Sequence, residues 1–242
     1  MPSFLAALLA RLLDLIFPDR CAACGSGDGL LCTACRTALR PYPPEPPPPG
    51  LDGVAIAWLY DAPVRRAVHA LKYRRRRRVA GALGDALAAA LPSPPPGDAL
   101  MPVPLHGGRL AERGFNQSEE LARRLAQHWG LPVVSTGLER VRDTGHQAGL
   151  DRRARLSNVA GAFVWRAAAP PPARVLLVDD VLTTGATLAA CAEALRAAGA
   201  HEVRALALAR SLAPARRIQA AHQAFIARRE PPDDPASARV LQ

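Results

Sequence analysis

One stretch of the chain, Val175 to Thr187, constrains its fold more than any other. The sequence of this stretch is VLLVDDVLTTGAT. Its four leading apolar residues, Val175 to Val178, predict a strand that is buried on both faces, as in a parallel sheet. Two acids, Asp179 and Asp180, follow at the carboxyl end of that strand. Because open α/β sheets bind ligands at this end, the stretch predicts an α/β fold with a ligand site here.

The loop after the acids predicts a site for one phosphate group. Residues Thr183 to Thr187 supply three hydroxyls and one glycine, Gly185, ahead of an Ala-rich helix expected over residues 186–198. The free N–H groups of the first helical turn and the positive end of the helix dipole face this loop. Gly185 lets the backbone approach a phosphate closely. No Lys follows the glycine, which excludes the nucleotide-binding P-loop pattern.

The adjacent acids indicate what else the ligand carries. Carboxylates accept hydrogen bonds from sugar hydroxyls, so Asp179 and Asp180 beside a phosphate cradle suit a sugar phosphate. They could also help to hold Mg²⁺ through water molecules and ligand oxygens. The alternative is a solvated acidic turn between a buried strand and an N-capped helix.

Four of the five cysteines form two Cys-x-x-Cys pairs near the N-terminus. The pairs are Cys21 with Cys24 and Cys32 with Cys35. Four thiolates suit tetrahedral Zn²⁺ and leave no open coordination position for catalysis. We therefore predict a structural zinc module within residues 1–40, with redox or disulfide chemistry as the alternative. The fifth, Cys191, is expected to be a buried small residue of the helix after the phosphate loop.

The apolar residues 2–17 predict an amphipathic helix, because their leucines recur at helical spacing. They lack the basic start of a secretory signal, and they are too short and too charged to span a bilayer. Packing on the same protein is the default expectation, with a membrane surface or a partner as the alternative. The lack of a targeting signal and the odd number of cysteines predict the reducing cytoplasm.

The net charge of +10 favours anionic partners, either phosphates or nucleic acid. Five consecutive arginines, Arg74 to Arg78, follow a helix expected over residues 62–73. This run could bind nucleic acid phosphates, or it could be a solvated helix end that complements the helix dipole. No aromatic residue lies between the arginines, so they do not form a stacking platform for single strands.

Proline-rich segments divide the chain into parts. Residues 41–50 predict a linker between the cysteine module and a main domain over residues 51–212. The tail, residues 213–242, is expected to be partly disordered. Further strands are expected over residues 54–60, 99–105, 133–138, 163–165 and 203–209, and further helices over residues 79–91 and 118–129. Residues 106–117 predict an anion-binding loop containing Arg109, and the polar stretch 140–161 predicts a functional lid or disorder.

The residues 179–187 resemble the motif that binds phosphoribosyl pyrophosphate (PRPP) in type I phosphoribosyltransferases. From the cysteine pairs to about Arg210, the chain resembles the ComF/GntX family, which is similar to a type I phosphoribosyltransferase domain with an N-terminal zinc finger. The further matching pieces are Leu71-Lys72-Tyr73, Pro102 to Leu105, Arg113 to Gln117, Arg142 with Thr144 and Gln147, and Arg155 with Asn158. The resemblance implies an α/β fold with a parallel sheet flanked by helices.

The resemblance also implies roles for individual residues. Asp179 and Asp180 would contact the ribose 2- and 3-hydroxyls, and the loop after them would bind the 5-phosphate. Residues 104–117 would form the pyrophosphate loop and residues 141–161 a mobile hood. The implied phosphate-loop residues are Thr183, Thr184, Gly185, Ala186 and Thr187; the pyrophosphate-loop residues are Arg113, Gly114, Asn116 and Gln117; the hood residues are Arg142 and Arg155; and Lys72 is a further candidate.

The activity that the resemblance implies is Mg²⁺-dependent transfer at the anomeric carbon of the ribose with release of pyrophosphate. Mg²⁺ and Arg113 would stabilise the leaving-group charge while the hood excludes water. Thr183 occupies the position where purine salvage enzymes often carry an acid, so no acceptor is implied. PRPP or a ribose 5-phosphate compound is the expected ligand.

Family members are linked to DNA uptake in natural transformation. The resemblance therefore implies single-stranded DNA and competence proteins as candidate further partners. No membrane span is expected. The alternative to a transferase is a non-catalytic module with the PRPP-binding fold that handles single-stranded DNA in competence.

Overall fold

The structure is a computed structural model, and it describes residues 19–73, 76–144 and 157–211. The helix expected in residues 2–17 lies outside the described residues, as do Arg74, Arg75, Gln147, Arg155 and the tail from residue 213. No helix in the described ranges is long and apolar enough to cross a membrane.

The described chain folds into alternating strands and helices, as the sequence predicts. The helices are α1 (Thr33–Thr37), α2 (Ala62–Tyr73), α3 (Arg78–Ala90), α4 (Gly107–Arg113), α5 (Gln117–Trp129) and α6 (Ala186–Ala197). The strands are β1 (Gly53–Leu59), β2 (Ala99–Pro102), β3 (Leu138–Arg140), β4 (Phe163–Trp165), β5 (Arg174–Leu182) and β6 (Glu202–Arg210).

Four strands form one parallel sheet in the order β1-β6-β5-β2. The central strand β5 pairs with β6 on one side and β2 on the other, so its Val/Leu run is covered by neighbours at both edges. All four strands point the same way, and their carboxyl ends therefore meet at one edge of the sheet. The fold class predicted from the sequence, a parallel sheet flanked by helices, is confirmed.

Two hydrophobic cores cover the two faces of the sheet. On one face, α2, α3 and α5 pack on side chains such as Leu176 and Val178 of β5. On the other face, α6 and the β3–β4 hairpin pack on Val175 and Leu177. Strand geometry causes this division, because successive side chains of a strand point to opposite faces.

Two of the expected elements differ from the structure. The strand expected over residues 133–138 is reduced to a single bridge between Val133 and Leu100, and β3 begins only at Leu138. Gly137 separates the two with a φ of 96°, which turns the chain away from the parallel sheet. The loop expected over residues 106–117 contains the helix α4, which ends at Gly114 in the left-handed conformation.

The described part of the arginine run does not complement a helix dipole. Arg77 and Arg78 stand at the N-terminal end of α3, where positive charge is unfavourable. Acidic partners compensate for this, since Arg77 pairs with Glu120 at 2.7 Å and Arg78 with Asp19 at 3.1 Å. The expectation of a dipole-complementing helix end is therefore wrong for these two residues.

The proline-rich segment 41–50, which we call the strap, packs along the main domain. It begins beside β1, where the amide of Tyr42 donates to Ala57 O at 2.9 Å. Midway, Glu45 accepts a hydrogen bond from the Tyr42 hydroxyl and forms an ion pair with Arg210 at the end of β6. Near its end, the strap brings Pro48 to the loop before α6. The strap therefore runs along the carboxyl edge of the sheet.

Candidate functional site

The strand β5 carries both acids at the carboxyl edge of the sheet. It continues through them to Leu182, so the strand does not end at Val178 as the sequence suggested. Pairing with β6 is kept from Asp179 opposite Ala207 to Leu182 opposite Arg210. The acids are therefore held by a hydrogen-bonded strand rather than by a turn, which excludes the alternative of a solvated acidic turn.

The two acids meet different elements because strand side chains alternate between the two faces of the sheet. Asp180 follows Leu176 and Val178 onto the face of α2, where it meets Lys72. Asp179 follows Leu177 onto the face of α6, and at the edge of the sheet it also reaches Ser118 at the start of α5. Asp180 is buried, with 3% of its surface exposed, whereas Asp179 is half-buried.

Asp180 forms an ion pair with Lys72, the last-turn lysine of α2. Lys72 Nζ lies 2.7 Å from Asp180 Oδ2. Burial by itself would lower the pKa of Lys72, but the Asp180 carboxylate outweighs burial and holds that pKa above its ordinary value. The sequence named Lys72 only as a further candidate, and the structure places its ammonium directly on one of the two acids.

Asp179 accepts two hydrogen bonds at the start of α5. Ser118 Oγ donates to Asp179 Oδ1 at 3.2 Å, and the amide of Asp180 donates to the same oxygen at 2.8 Å. Burial and the neighbouring Asp180 charge raise the pKa of Asp179 to about 7, although Lys72 and these donors act in the opposite direction. A carboxyl group of this pKa is uncommon and indicates a functional site.

The predicted phosphate loop leads from the end of β5 to the start of α6. Gly185 has a φ of 84°, a left-handed conformation that favours glycine, and it immediately precedes the first helical residue, Ala186. Thr184 Oγ1 accepts a hydrogen bond from the amide of Ala186 at 3.4 Å. Thr183 is exposed and Thr187 is half-buried in the first turn of α6. The hydroxyls and amides at this helix start are suited to an anion.

The predicted pyrophosphate segment supports the same edge of the sheet. Asn116 caps α5 by accepting from the amide of Ser118 at 3.0 Å, and its side-chain amide donates to Val103 O after β2. Arg113 donates to the side chain of Gln117. These contacts connect Arg113, through Gln117 and Ser118, to Asp179. Gly114 contributes the left-handed end of α4.

Arg142, one of the two predicted hood residues, closes the two ends of the segment 145–156. Its guanidinium donates to Asn158 O at 3.0 Å and to Ala160 O at 2.7 Å. Asn158 in turn donates to Thr144 O at 2.7 Å. In the described residues Arg142 thus connects the two flanks of the predicted hood. Arg155 lies outside the described residues.

The four paired cysteines form one cluster, as their spacing predicts. Their sulfur atoms all lie within 4.8 Å of one another, and Cys24 Sγ is 3.6 Å from Cys32 Sγ. Tetrahedral Zn²⁺ with Zn–S bonds of about 2.3 Å places its sulfur ligands about 3.8 Å apart, so the cluster fits this ion. Burial alone would raise the pKa of Cys21, but backbone N–H donors outweigh it and lower that pKa to about 6, whereas burial and the neighbouring cysteines raise the pKa of Cys35.

Two protein families match the two parts of the chain. The phosphoribosyl transferase domain family matches residues 110–228, and the double zinc ribbon domain family matches residues 12–47. The DNA utilization protein YhgH of Salmonella typhi is 35% identical over 202 residues, which cover 79% of this chain and 84% of that protein. The chain belongs to the ComF/GntX family.

Two other proteins are similar to this chain at comparable sequence identity. YhgH of Escherichia coli K12 is 33% identical over 211 residues, covering 79% of this chain and 90% of that protein. Competence protein F of Haemophilus influenzae is 37% identical over 116 residues, covering 47% of this chain and 51% of that protein. The family membership that the sequence motifs indicated is therefore confirmed.

Sequence reasoning missed three contacts of the site in this ComF-type protein. Ser118 was assigned to a helix start, with no link to Asp179. Pro48 was assigned to a linker, yet it lies against Gly185. Arg140 was assigned to a polar loop, yet it stacks 5.5 Å from the ring centre of Phe163 in the hairpin. All three contacts join residues distant in sequence, and no local pattern signals them.

Proposed function

We propose that this ComF-type protein binds PRPP with Mg²⁺ and transfers its ribosyl group to an acceptor, releasing pyrophosphate. One observation carries the proposal: two adjacent carboxylates stand at the carboxyl edge of β5, just before the loop that begins α6. Carboxylates suit ribose hydroxyls, and a helix start with Thr184 and Gly185 suits the 5-phosphate. The match to the phosphoribosyl transferase domain family supports the same ligand.

The chemistry would depend mainly on charge and position. The bond from the anomeric carbon to pyrophosphate breaks, pyrophosphate leaves with the electron pair, and a bond forms to the acceptor, which loses its proton. Mg²⁺, held by ligand oxygens and water near Asp179, would neutralise the leaving group. The Arg113 guanidinium donates to Gln117 one residue before Ser118, and it would add positive charge for the leaving pyrophosphate.

Pyrophosphate release from PRPP tests the transfer. The zinc-loaded protein is incubated with PRPP, Mg²⁺ and a pool of nucleobases, and free pyrophosphate is measured. We expect release that needs both Mg²⁺ and an acceptor and that falls at least about tenfold in Asp179→Asn. The control is Asp28→Asn, the same change at an exposed acid in the cysteine module, which should leave the rate unchanged. PRPP binding without pyrophosphate release under any acceptor would contradict the transferase.

A second candidate function, the handling of single-stranded DNA, is favoured by a basic cavity. This cavity of about 480 Å³ lies between the first cysteine pair and α2. Among the described residues no Asp or Glu lines it, and its basic side chains are Arg20, Arg65, Arg66, His69 and Arg76. Guanidinium groups suit the phosphates of a nucleic acid backbone. Several relatives are named DNA utilization proteins, which supports this reading.

The salt dependence of DNA binding tests the cavity. Fluorescence anisotropy with a labelled single strand is compared for wild type, Arg65→Ala/Arg66→Ala and the control Arg123→Ala/Arg166→Ala. The control removes the same charge from arginines that pair with acids elsewhere. For single strands the slope of log affinity against log salt is about 0.7 per phosphate contact, so we expect it to fall by roughly 1 in the cavity variant alone. Equal slopes for the two variants would contradict a DNA site in this cavity.

A further inference from the structure

The chain contains one lysine, and that lysine is Lys72. The other 30 of its 31 strongly basic residues are arginines. Lys72 reaches the acid pair, with its Nζ 2.7 Å from Asp180 Oδ2. An ammonium is a compact charge that contacts one carboxylate oxygen, whereas a guanidinium is a broad planar fork. An ion pair with one oxygen of a buried carboxylate therefore suits Lys better than Arg.

The two partners of the Lys72–Asp180 pair differ in burial, since Asp180 is buried and Lys72 is half-buried. The exposed fraction of the side chain is 23% for Lys72 and 4% for Asp180. Removing one partner of such a pair leaves an uncompensated charge away from water, which is strongly unfavourable. Asp179, one residue before, adds a second negative charge beside the pair, and Tyr60 at the end of β1 also interacts with Lys72. The buried Asp180 carboxylate therefore depends on this one ammonium.

The two acids are also held in different ways. Asp180 is nearly inaccessible and paired with Lys72, whereas Asp179 is half-buried and hydrogen-bonded by Ser118. We propose that Lys72 is a positioning residue, which holds the Asp180 carboxylate in place and acts on the ribose end of the ligand through it, without touching the ligand's phosphates. This inference rests on the proposed binding of PRPP.

Calorimetric titration of four proteins with two ligands tests the proposal. The proteins are wild type, Lys72→Met, Asp180→Asn and the double variant, and the ligands are PRPP with Mg²⁺ and ribose 5-phosphate, which lacks pyrophosphate. Because Lys72 acts through Asp180, the double variant should bind within about twofold of Asp180→Asn. Lys72→Met should weaken both ligands by the same factor, about tenfold or more.

Two outcomes of the titration would overturn the proposal. Single-variant factors that multiply in the double variant would show that Lys72 and Asp180 act independently. A loss for PRPP but not for ribose 5-phosphate would show that Lys72 contacts pyrophosphate directly. If the wild type binds neither ligand, the proposed PRPP site itself is wrong, a result distinct from both.

A measurement on the wild-type protein covers the case in which Lys72→Met does not fold. Labelling with ¹⁵N-lysine gives one side-chain ammonium signal, because Lys72 is the sole lysine. We expect this signal to change little, and equally, when PRPP or ribose 5-phosphate binds, and to move in Asp180→Asn. A large change with PRPP that ribose 5-phosphate does not cause would overturn the positioning role.

Discussion

At the scale of the residue, the candidate site is built on two acidic side chains of β5. Asp179 and Asp180 are neighbours in sequence, yet the alternation of the strand places Asp179 on the face of α6 and Asp180 on the face of α2. The unliganded protein holds two carboxylates together with one ammonium, Lys72, directly on one of them. Holding two carboxylates side by side costs stability, and proteins commonly accept such a cost at functional sites.

Asp179 gives the unliganded protein a pH dependence of stability. Its pKa is raised from 3.8 to about 7 in the folded chain, so the folded state keeps the proton longer than the unfolded state does. As the pH rises from about 4 to about 7, the unfolded state loses its proton first, and the free energy of unfolding falls until it levels off above the folded pKa.

We expect Asp179→Asn to remove this dependence. Relative to the variant, the wild type should lose roughly 4 kcal/mol of unfolding free energy over that pH range, because each unit of pKa shift corresponds to about 1.4 kcal/mol. Urea unfolding of both proteins at a series of pH values measures the difference, and groups common to the two proteins, including the zinc ligands, cancel. A difference that grows in the opposite direction with pH would contradict a raised Asp179 pKa.

Gly185, in the loop before α6, is a second position of the candidate site at which only glycine fits without strain. A methyl group there would lie 2.7 Å from Pro48 Cβ of the strap, and the backbone φ of 84° is itself strained for other residues. Gly130→Ala is the matched control, because its φ is 68° and a methyl group would meet nothing within 4 Å.

The expected costs of the two substitutions differ. Gly130→Ala should lower the free energy of unfolding by about 1 kcal/mol, and Gly185→Ala by at least about 1 kcal/mol more, since the strap must also move. Chemical denaturation measures both. Equal losses would mean that Pro48 does not press on the phosphate loop.

At the scale of the element, the helices α3 and α5 approach each other closely at Gly84. A methyl group at Gly84 would lie 2.8 Å from Cβ and Cγ of Arg124, whereas one at Gly81 in the same helix would meet nothing within 4 Å. Arg124 pairs with Asp85 through two contacts of 2.6 and 2.9 Å. The two helices are therefore held at a fixed distance by a small residue and an ion pair.

This geometry predicts opposite effects for the same substitution. Gly81→Ala should stabilise the protein by up to about 1 kcal/mol through helix propensity alone. Gly84→Ala gains the same propensity but forces the helices apart, so we expect a net loss of about 1–2 kcal/mol. Thermal unfolding of the two variants checks the signs. A stabilised Gly84→Ala would contradict the close packing of α3 against α5.

The sequence predicts elements well where periodicity or a buried run is strong. The Val175–Val178 run and the helix around Leu121 and Leu125 are found close to their expected places. The prediction is wrong for the strand expected over residues 133–138, because the apolar pair Val133 and Val134 does not reveal that Gly137 turns the chain. It also fails to place the strap, since proline-rich composition indicates extended backbone but not what that backbone packs against.

At the scale of the whole molecule, the cysteine cluster and the main domain share one hydrophobic core. Cys21, Cys32 and Cys35 pack in the same cluster as α2 and α3 residues such as Leu71 and Leu83. The spacing of the cysteines predicted the cluster itself. No local motif indicates that these cysteines are buried together with residues of α2 and α3. Loss of metal should therefore destabilise the main domain as well as the cysteine module.

Zinc removal tests this shared core. Chelation under reducing conditions should lower the melting temperature of the chain by roughly 10 °C or more, in one transition followed by far-UV circular dichroism. Re-addition of Zn²⁺ should restore it, and Mg²⁺ should not. A low-temperature melt confined to a small fraction of the signal, with the main transition unchanged, would show that the module is independent.

The most direct test of the central claim is calorimetric titration of PRPP with Mg²⁺ into the wild type and the Asp179→Asn/Asp180→Asn variant. The account predicts micromolar binding, about −8 kcal/mol, to the wild type and none to the still-folded variant. No binding to the folded, zinc-loaded wild type would contradict the assignment of the β5 edge as a PRPP site.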